Sequence, residues 1–253
     1  MGTGKISCFQ GGASRHLTLI VNGKEERFFS NNNHRKAFQA LIHNGLENGE
    51  LPQHLTQSTT IDPQIYLPMQ KGRLDESEAK AIIADGEKYI PAFLEATKKK
   101  PLKMYSTNTS LWLIEFVKSK GVTLSEDSGI YTGKRILEMY YKTFESDILA
   151  MGLGVFNGDP DGIYHAIGKD GAITSPMSVR ESVTRLLEEG RKLLEPTEID
   201  QAYKPVSRAA LNDVPFVHLG FINSIMAYRN DIIKVKRELK NRHDDRLITF
   251  SPR

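Results

Sequence analysis

The apolar residues of the chain recur mainly at helical spacing, and several of these runs carry signals for where a helix begins and ends. Serine, asparagine or aspartate precedes some of the runs, and glycine or proline follows most of them. We therefore predict helices from Ser30 to near Gly45, from Asp75 to Leu94 with a kink or division at Pro91, from Thr109 to Gly121, from Lys134 to Met151, and from Ser178 to Pro196.

The last periodic run has its apolar residues at alternating spacings of four and three, which places them on one narrow stripe of a helix. The residues of the stripe are Phe221, Ile225, Tyr228, Ile232, Val235 and Leu239. We predict a long C-terminal helix whose cations lie mostly off the stripe, so that the helix packs on one side and offers a basic face on the other.

Extended structure is predicted at a few places. Two β-rich runs, 16–21 and 24–29, flank Asn22-Gly23, a pair that accepts positive φ at both centres of a type I′ turn, so we predict an N-terminal β-hairpin. The Asp-Pro-Asp-Gly sequence at 159–162 predicts a turn, and a second hairpin is predicted within 163–174. Residues 247–250 predict a short β-like tail.

Together these elements predict a mainly α protein with a small β component (α+β), built as two helical lobes with extended terminal arms. The lobes are expected to meet near residues 121–133. The predicted division is an N-terminal arm at 1–15, an N-terminal lobe at 16–125 that holds the hairpin, a C-terminal helical lobe at 126–243, and a C-terminal arm at 244–253.

Composition narrows the class of protein. The 253 residues are 39% hydrophobic and 26% charged, which is ordinary globular usage. The single cysteine, Cys8, excludes an intramolecular disulfide framework. No apolar run approaches the roughly 20 residues of a membrane-spanning helix, and no signal-peptide-length apolar stretch opens the sequence. We therefore expect a soluble, intracellular protein in the cytoplasm.

One compact set of acids and imidazole stands out as candidate chemistry. Asp159, Asp161 and His165 are groups that could transfer protons in a small-molecule enzyme or bind a metal ion. The same Asp-Pro-Asp-Gly sequence is also ordinary turn chemistry, and position 170 is aspartate where an EF-hand loop needs glutamate. We assign no catalytic residue, metal ligand or cofactor, and an enzyme remains an alternative.

Charge is distributed unevenly. The formal net charge is only +3, but residues 221–243 alone carry an excess of four positive charges. Tyrosines are interleaved with cations, and these residue types can stack bases and neutralise phosphates. The candidate RNA-binding residues are Lys134, Arg135, Tyr140, Lys142, Tyr228, Arg229, Lys234, Lys236, Arg237 and Lys240.

The layout of a helical body with basic faces and terminal arms resembles the nucleoproteins of segmented negative-strand RNA viruses. This resemblance implies a non-catalytic protein that packages single-stranded RNA in a basic groove and self-associates through its arms, here 1–15 and 244–253. Its location would be the cytoplasm and the virion. Besides the enzyme, a matrix-like helical interaction protein remains an alternative, in which the stripe from Ile225 to Leu239 binds a partner helix.

Overall fold

A computed structural model of the chain describes residues 6–50, 58–107, 110–130, 146–154, 159–169, 180–193, 196–229, 233–235 and 250–252. Its centre is a six-stranded sheet in the order β2-β6-β1-β5-β3-β4. The strands of this sheet are β1 (Ile6–Val21), β2 (Thr59–Ile61), β3 (Met104–Ser106), β4 (Gly129–Ile130), β5 (Ile148–Gly154) and β6 (Phe216–Arg229). A separate pair consists of β7 (Ile233–Val235) and β8 (Phe250–Pro252).

Seven α-helices accompany the strands in the described ranges. They are α1 (Asn32–Glu47), α2 (Glu76–Ala84), α3 (Ile90–Lys99), α4 (Trp112–Ser119), α5 (Tyr164–Ile167), α6 (Glu181–Gly190) and α7 (Pro196–Asp213). Short 3-10 turns lie at Phe28–Ser30, Glu87–Tyr89 and Pro160–Ile163. None of the helices in these ranges has the length and apolarity needed to cross a membrane.

The two longest strands form the middle of the sheet. β1 pairs antiparallel with β6 from Ile6↔Arg229 to Ile20↔Phe216, and on its other side with β5 from Arg15 to Val21. Irregularities interrupt the β1–β6 register at three points, which bend the ribbon. The sheet takes strands from both predicted ranges, 16–125 and 126–243.

Alternate residues of β1 point to opposite faces of the sheet, and each face is covered by helices. On one face, Leu17, Leu19 and Val21 pack in a core that includes residues of α1, α3 and α4. On the other, Ile20 belongs to a core built with residues of α5, α6 and α7. The sheet is therefore buried on both sides along its central strands.

The local helix signals in the first half of the chain are confirmed. The side chain of Asn31 accepts a hydrogen bond from the backbone N–H of Asn33, at 2.9 Å, and so caps α1. The division predicted at Pro91 is also confirmed, because a 3-10 turn ends at Tyr89 and Pro91 lies in the first turn of α3, where its missing N–H costs nothing. Asp75 is the N-cap residue of α2, but its side chain makes no capping bond.

The predicted N-terminal hairpin is wrong. The backbone N–H of Asn22 donates to the carbonyl of Asp147 at 2.8 Å, and its side-chain amide donates to Ser146 at 3.0 Å, so the chain continues along β5 instead of turning back. Residues 6–15, expected in an arm, extend β1 and pair with β6 of the same chain. A Cβ at Gly23 would lie 2.1 Å from the guanidinium of Arg180, so a larger residue there would require the end of that side chain to move.

The predicted C-terminal helix is wrong over residues 221–229, which lie in β6. Residues 214–221 are buried without interruption, as expected for a central strand covered on both faces. Part of the helix predicted from Lys134 to Met151 is also wrong, because 148–151 lie in β5, whereas 134–145 fall outside the described residues. The mainly α expectation therefore gives way to a mixed α/β fold around a sheet.

The second hairpin predicted within 163–174 is wrong at 163–167, which are helical, and its last residues lie outside the described ranges. Residues 196–205 form the first part of α7, an 18-residue helix that contains Pro205. The predicted tail is described only from Phe250, which pairs with Val235.

Three buried histidines form a cluster at the sheet, which we call the histidine cluster: His16 on β1, His43 on α1 and His218 on β6. Nδ1 of His16 lies 3.1 Å from Nε2 of His218, and Nδ1 of His218 lies 2.7 Å from the carbonyl oxygen of Asp62. Burial lowers the pKa of His16 and of His43 to about 4, and lowers that of His218 as well.

Candidate functional site

The structure gives only a partial account of the predicted RNA-binding residues. Seven of them lie outside the described residues: Lys134, Arg135, Tyr140, Lys142, Lys236, Arg237 and Lys240. Tyr228 and Arg229 lie at the end of β6, and Lys234 lies in β7. The helical basic face predicted to carry these three residues is therefore replaced by strands.

The acidic turn is built around a short 3-10 helix that starts at Pro160. Oδ1 of Asp159 accepts a hydrogen bond from the backbone N–H of Asp161 at 2.9 Å, so Asp159 caps this helix. Pro160 suits the first helical position because its fixed φ matches the helix and it has no N–H to satisfy. The turn holds both carboxylates on one side of the loop that leads into α5.

Asp161 joins this turn to two helices further along the chain. Its Oδ2 lies 3.0 Å from Nε of Arg191, the residue that follows α6, and its Oδ1 accepts a long hydrogen bond of 3.4 Å from the hydroxyl of Tyr203 on α7. Burial raises the pKa of Asp161, the nearby Asp159 raises it further, and Arg191 opposes the shift. Asp161 is thus a half-buried carboxylate held between a cation and a phenol.

Aromatic side chains surround the ion pair. The guanidinium carbon of Arg191 lies 4.1 Å from the ring centre of Tyr164, a cation–π contact. Tyr203 is almost fully buried, and burial, followed by the charges of Asp161 and Asp159, raises the pKa of its hydroxyl. The phenol therefore stays protonated and acts as a hydrogen-bond donor at neutral pH.

Asp161, Arg191 and Tyr203 line a cavity of about 250 Å³ that opens to the surface. Leu193 and Ile199 give it apolar walls beside the charged groups. Gly190 allows the wall to close, because a Cβ at this position would lie 2.9 Å from the ring of Tyr203. We call this space the acidic cavity; its polar lining residues are Asp159, Asp161, Arg191 and Tyr203.

A second phenol lies behind the acidic cavity. Tyr66 packs edge to face against Tyr203 with ring centres 6.3 Å apart, and is 2% exposed. Its hydroxyl is buried and has no hydrogen-bond partner within the described part of the chain. Burial raises the pKa of Tyr66, and the charges of Asp161 and Asp159 raise it further, which places the phenol within electrostatic range of both carboxylates.

Of the predicted acid and imidazole set, the two aspartates line the acidic cavity, and His165 lies near enough for its charge to lower the pKa of Asp161. His165 is exposed on α5 and does not line the acidic cavity. In the described ranges, no group of three or more His, Cys, Asp or Glu residues is arranged to hold a metal ion. No local pattern in the sequence marks Arg191 or Tyr66 as partners of the turn, because only the tertiary fold brings them near it.

Comparisons with known proteins give the fold but no sequence family. No protein-family model matches the chain, and no curated protein sequence matches it. Many solved structures do resemble it. One is the oligopeptide-binding protein AppA from Bacillus subtilis in complex with a nonapeptide, with a TM-score of 0.68 and 15% identity, over 92% of this chain and 50% of that one.

Two others are similar at the same level. The ABC transporter-associated periplasmic binding protein DppA from Helicobacter pylori, in complex with peptide STSA, has a TM-score of 0.72 at 14% identity, over 94% of this chain and 47% of that one. NikZ from Campylobacter jejuni, in complex with Ni(L-His), has a TM-score of 0.69 at 12% identity, over 94% and 51%. This chain spans about half the length of the structures it matches.

These matches overturn the predicted function. The similar structures are solute-binding proteins described as oligopeptide-, dipeptide- or murein tripeptide-binding, and not viral nucleoproteins. The prediction of an RNA-packaging protein of the cytoplasm or virion, with single-stranded RNA as its partner, is therefore wrong. Self-association through an N-terminal arm loses its basis too, since residues 6–15 pair within the chain.

Both alternatives are also wrong. The enzyme built on Asp159, Asp161 and His165 does not fit, because one aspartate caps a helix, the other is in an ion pair, and the histidine lies outside the cavity. The matrix-like interaction protein required an apolar helical stripe starting at Ile225, and that residue lies in β6.

Proposed function

We propose that the chain forms part of a solute-binding protein that takes up a short peptide or another small molecule carrying an ammonium and a carboxylate group. The observation that carries this proposal is the match of more than 90% of the chain to several solute-binding proteins of one fold. The ligands bound in these structures are a nonapeptide, the peptide STSA and Ni(L-His), and all of them contain amino and carboxyl functions.

The acidic cavity supports the same ligand class. Asp161 offers a carboxylate and Arg191 a guanidinium, with Nε and Oδ2 only 3.0 Å apart, so a ligand with both charges meets a complement for each. Tyr203 adds a hydroxyl, and Leu193 and Ile199 add apolar surface for a side chain. A few polar groups fixed in a partly apolar cleft are the usual composition of a small-molecule site.

A titration with matched peptides tests the proposal. The full chain is titrated by calorimetry with the unblocked tetrapeptide Ser-Thr-Ser-Ala, and with the same peptide N-acetylated and C-amidated. We expect binding of the unblocked peptide only, together with a thermal stabilisation that follows mass action, about 2.7 kcal/mol at about 100 times Kd. Equal binding of both peptides, or no binding of unblocked di-, tri- or tetrapeptides, would contradict the proposal.

A pair of charge variants locates the site. Asp161→Asn should weaken binding of the unblocked peptide about tenfold or more, because a charge-assisted contact to the ammonium group is lost. Glu188→Gln removes the same charge from an exposed position on α6 and should leave the affinity unchanged. If the two variants behave alike, the peptide binds elsewhere.

The proposed role also carries a proposed location outside the cytoplasm, because similar structures are described as periplasmic binding proteins. Fractionation of the source cells, followed by immunodetection of the chain, tests this location. Recovery with cytoplasmic marker enzymes would count against it.

A further inference from the structure

We propose that Arg191 determines the charge selectivity of the acidic cavity by occupying its cation position in the ligand-free chain. A ligand then binds by exchange: its cationic group replaces Arg191 on Asp161, and the released guanidinium receives the acidic group of the ligand. The proposal deepens the proposed function, and its ligand class is a compound with a primary ammonium or guanidinium group and a carboxylate.

The contacts of Arg191 are those that a bound cation would make. Its Nε lies 3.0 Å from the Asp161 carboxylate, and its guanidinium carbon lies 4.1 Å from the centre of the Tyr164 ring. A carboxylate beside an aromatic face attracts alkylammonium and guanidinium ions by charge and by the ring quadrupole. The cation position of the cavity is thus already shaped, and a side chain of the same protein fills it.

The ion pair is suited to exchange because it is only partly buried. The side chain of Arg191 is 46% exposed and that of Asp161 is 24% exposed. Ion pairs with such access to solvent contribute little to stability, so breaking one costs less than the two charged contacts that a zwitterionic ligand offers. The backbone N–H of Arg191 donates to the carbonyl of Leu187 at 3.0 Å, so the helix end stays fixed while the side chain moves.

The test measures how Arg191→Gln changes the affinity for two probes of different charge. Methylguanidinium carries only the cation, and glycylglycine carries both charges. By calorimetry with the full chain, we expect the variant to bind methylguanidinium about tenfold more tightly than the unmodified chain, which is about 1.4 kcal/mol, and to bind glycylglycine more weakly. Lys192→Gln, the loss of an exposed positive charge one residue away, should change neither affinity.

A double variant fixes the site of the effect. Adding Asp161→Asn to Arg191→Gln should abolish the gain for methylguanidinium, with circular dichroism used to check that each variant is folded. Tighter methylguanidinium binding that persists in the double variant, or no gain in Arg191→Gln, overturns the proposal. If Arg191→Gln binds methylguanidinium more tightly in an Asp161-dependent way but the chain binds no peptide, the exchange is supported and the proposed function is refuted. If the chain binds peptide but Arg191→Gln does not bind methylguanidinium more tightly, the proposed function is supported and the exchange is refuted.

Discussion

The histidine cluster and the acidic cavity are two sets of polar residues in the same molecule, and they differ in burial and in charge. In the histidine cluster, the side chains are enclosed and neutral, and ring nitrogens of His16 and His218 have specific hydrogen-bond partners, whereas Nε2 of His43 has none in the described part of the chain. In the acidic cavity, the groups are charged, partly exposed and held by a single ion pair at 3.0 Å and a long hydrogen bond.

The hydrogen bonds of the histidine cluster fix its protonation state. The carbonyl of Asp62 can only accept, so Nδ1 of His218 must carry the proton and donate to it. Nε2 of His218 is then the acceptor of the bond from Nδ1 of His16. A proton added to Nε2 of His218 would bring two N–H groups face to face, so these hydrogen bonds require the His218 ring to be neutral. Full burial thus keeps the histidines neutral, whereas partial exposure allows Asp161 and Arg191 to stay charged and to exchange partners.

The largest expected effect is the loss of stability in acid. The folded-state pKa values of His16 and His43 are about 4, below the ordinary 6.5, so the unfolded chain binds more protons. The contribution of these two histidines to the free energy of unfolding should therefore be fully present above about pH 7 and should be lost as the pH decreases from about 6.5 towards 4. Between pH 7 and 5 the expected loss is roughly 2 kcal/mol for each of these two histidines. Urea unfolding at both pH values measures it.

Other titratable groups near the histidine cluster also contribute to the pH dependence of stability. His218 adds to the loss, because burial lowers its pKa, and His16, His43 and Arg73 act in the same direction. Asp62, ion-paired with Arg73 at 2.8 Å, contributes with the opposite sign because burial raises its pKa. His43→Gln should flatten the pH dependence by about the share of one histidine, whereas a stability that is independent of pH between 7 and 5 would refute the neutral cluster.

The next largest effect is expected from His218→Ala. The substitution leaves a hole in the core and removes the partners of both the His16 ring and the Asp62 carbonyl. We expect a loss of about 3 kcal/mol at pH 7.5, measured by urea unfolding. His165→Ala, at an exposed position on α5, is the matched control and should cost less than about 0.5 kcal/mol. Similar losses for the two variants would contradict the structural role of the cluster.

Tyr66→Phe should act in the opposite direction. It removes a buried hydroxyl that has no partner in the described part of the chain, while the ring contact with Tyr203 stays. Because a buried polar group loses its desolvation cost, we expect the variant to be more stable by about 0.5–1 kcal/mol without ligand. Tyr203→Phe, which removes the hydrogen bond to Asp161, provides the comparison and should not stabilise the chain. A destabilised Tyr66→Phe variant would mean that the hydroxyl is satisfied.

The smallest effect on stability is expected from Arg191→Gln. The ion pair with Asp161 is partly exposed, so its loss should change the free energy of unfolding by no more than about 0.5 kcal/mol. Urea unfolding in low and high salt checks this, because a screened surface pair should show an even smaller difference in salt. A loss of several kcal/mol would identify the pair as structural and would exclude the exchange proposed for it.

The sequence predicted those elements that local signals determine. α1 has its cap at Asn31, α3 has its proline in the first turn, and both were recognised from a few neighbouring residues. β6 was missed because the spacing of Phe221, Ile225 and Tyr228 fits a helical stripe. The strand is instead determined by its pairing with β1 and β2, which lie far away in the sequence. Pairing partners that lie far away in the chain leave no periodic signal.

At two places the fold departs from the local preference of a residue. Asn22-Gly23 suits a tight turn, but the bonds of Asn22 to Ser146 and Asp147 direct the chain elsewhere. Pro205 opposes a helix, yet α7 continues through it because Tyr203, Val206 and Ala210 are buried against the sheet. In both cases tertiary contacts outweigh propensities of about 1–3 kcal/mol.

The sequence predicted the acidic turn of the candidate site but not the residues that contact it. The acidic turn is visible in the sequence because Asp-Pro-Asp-Gly has a distinctive local chemistry. Arg191 and Tyr203, which give Asp161 its charge partner and its phenol, reach it only through the packing of α6 and α7. Neither residue has a neighbour in the sequence that marks it as part of a site.

The pairing of β1 with β6 sets the order of events during synthesis. β1 is complete when residue 21 has been made, but the strand that covers one whole edge of it ends at residue 229. Until then, β1 has an unpaired edge and an unfilled core on the nascent chain. Contacts this distant slow folding and prolong the exposure of strands that can aggregate. This protein should therefore depend on chaperones while it is being translated, and much less once β6 has docked.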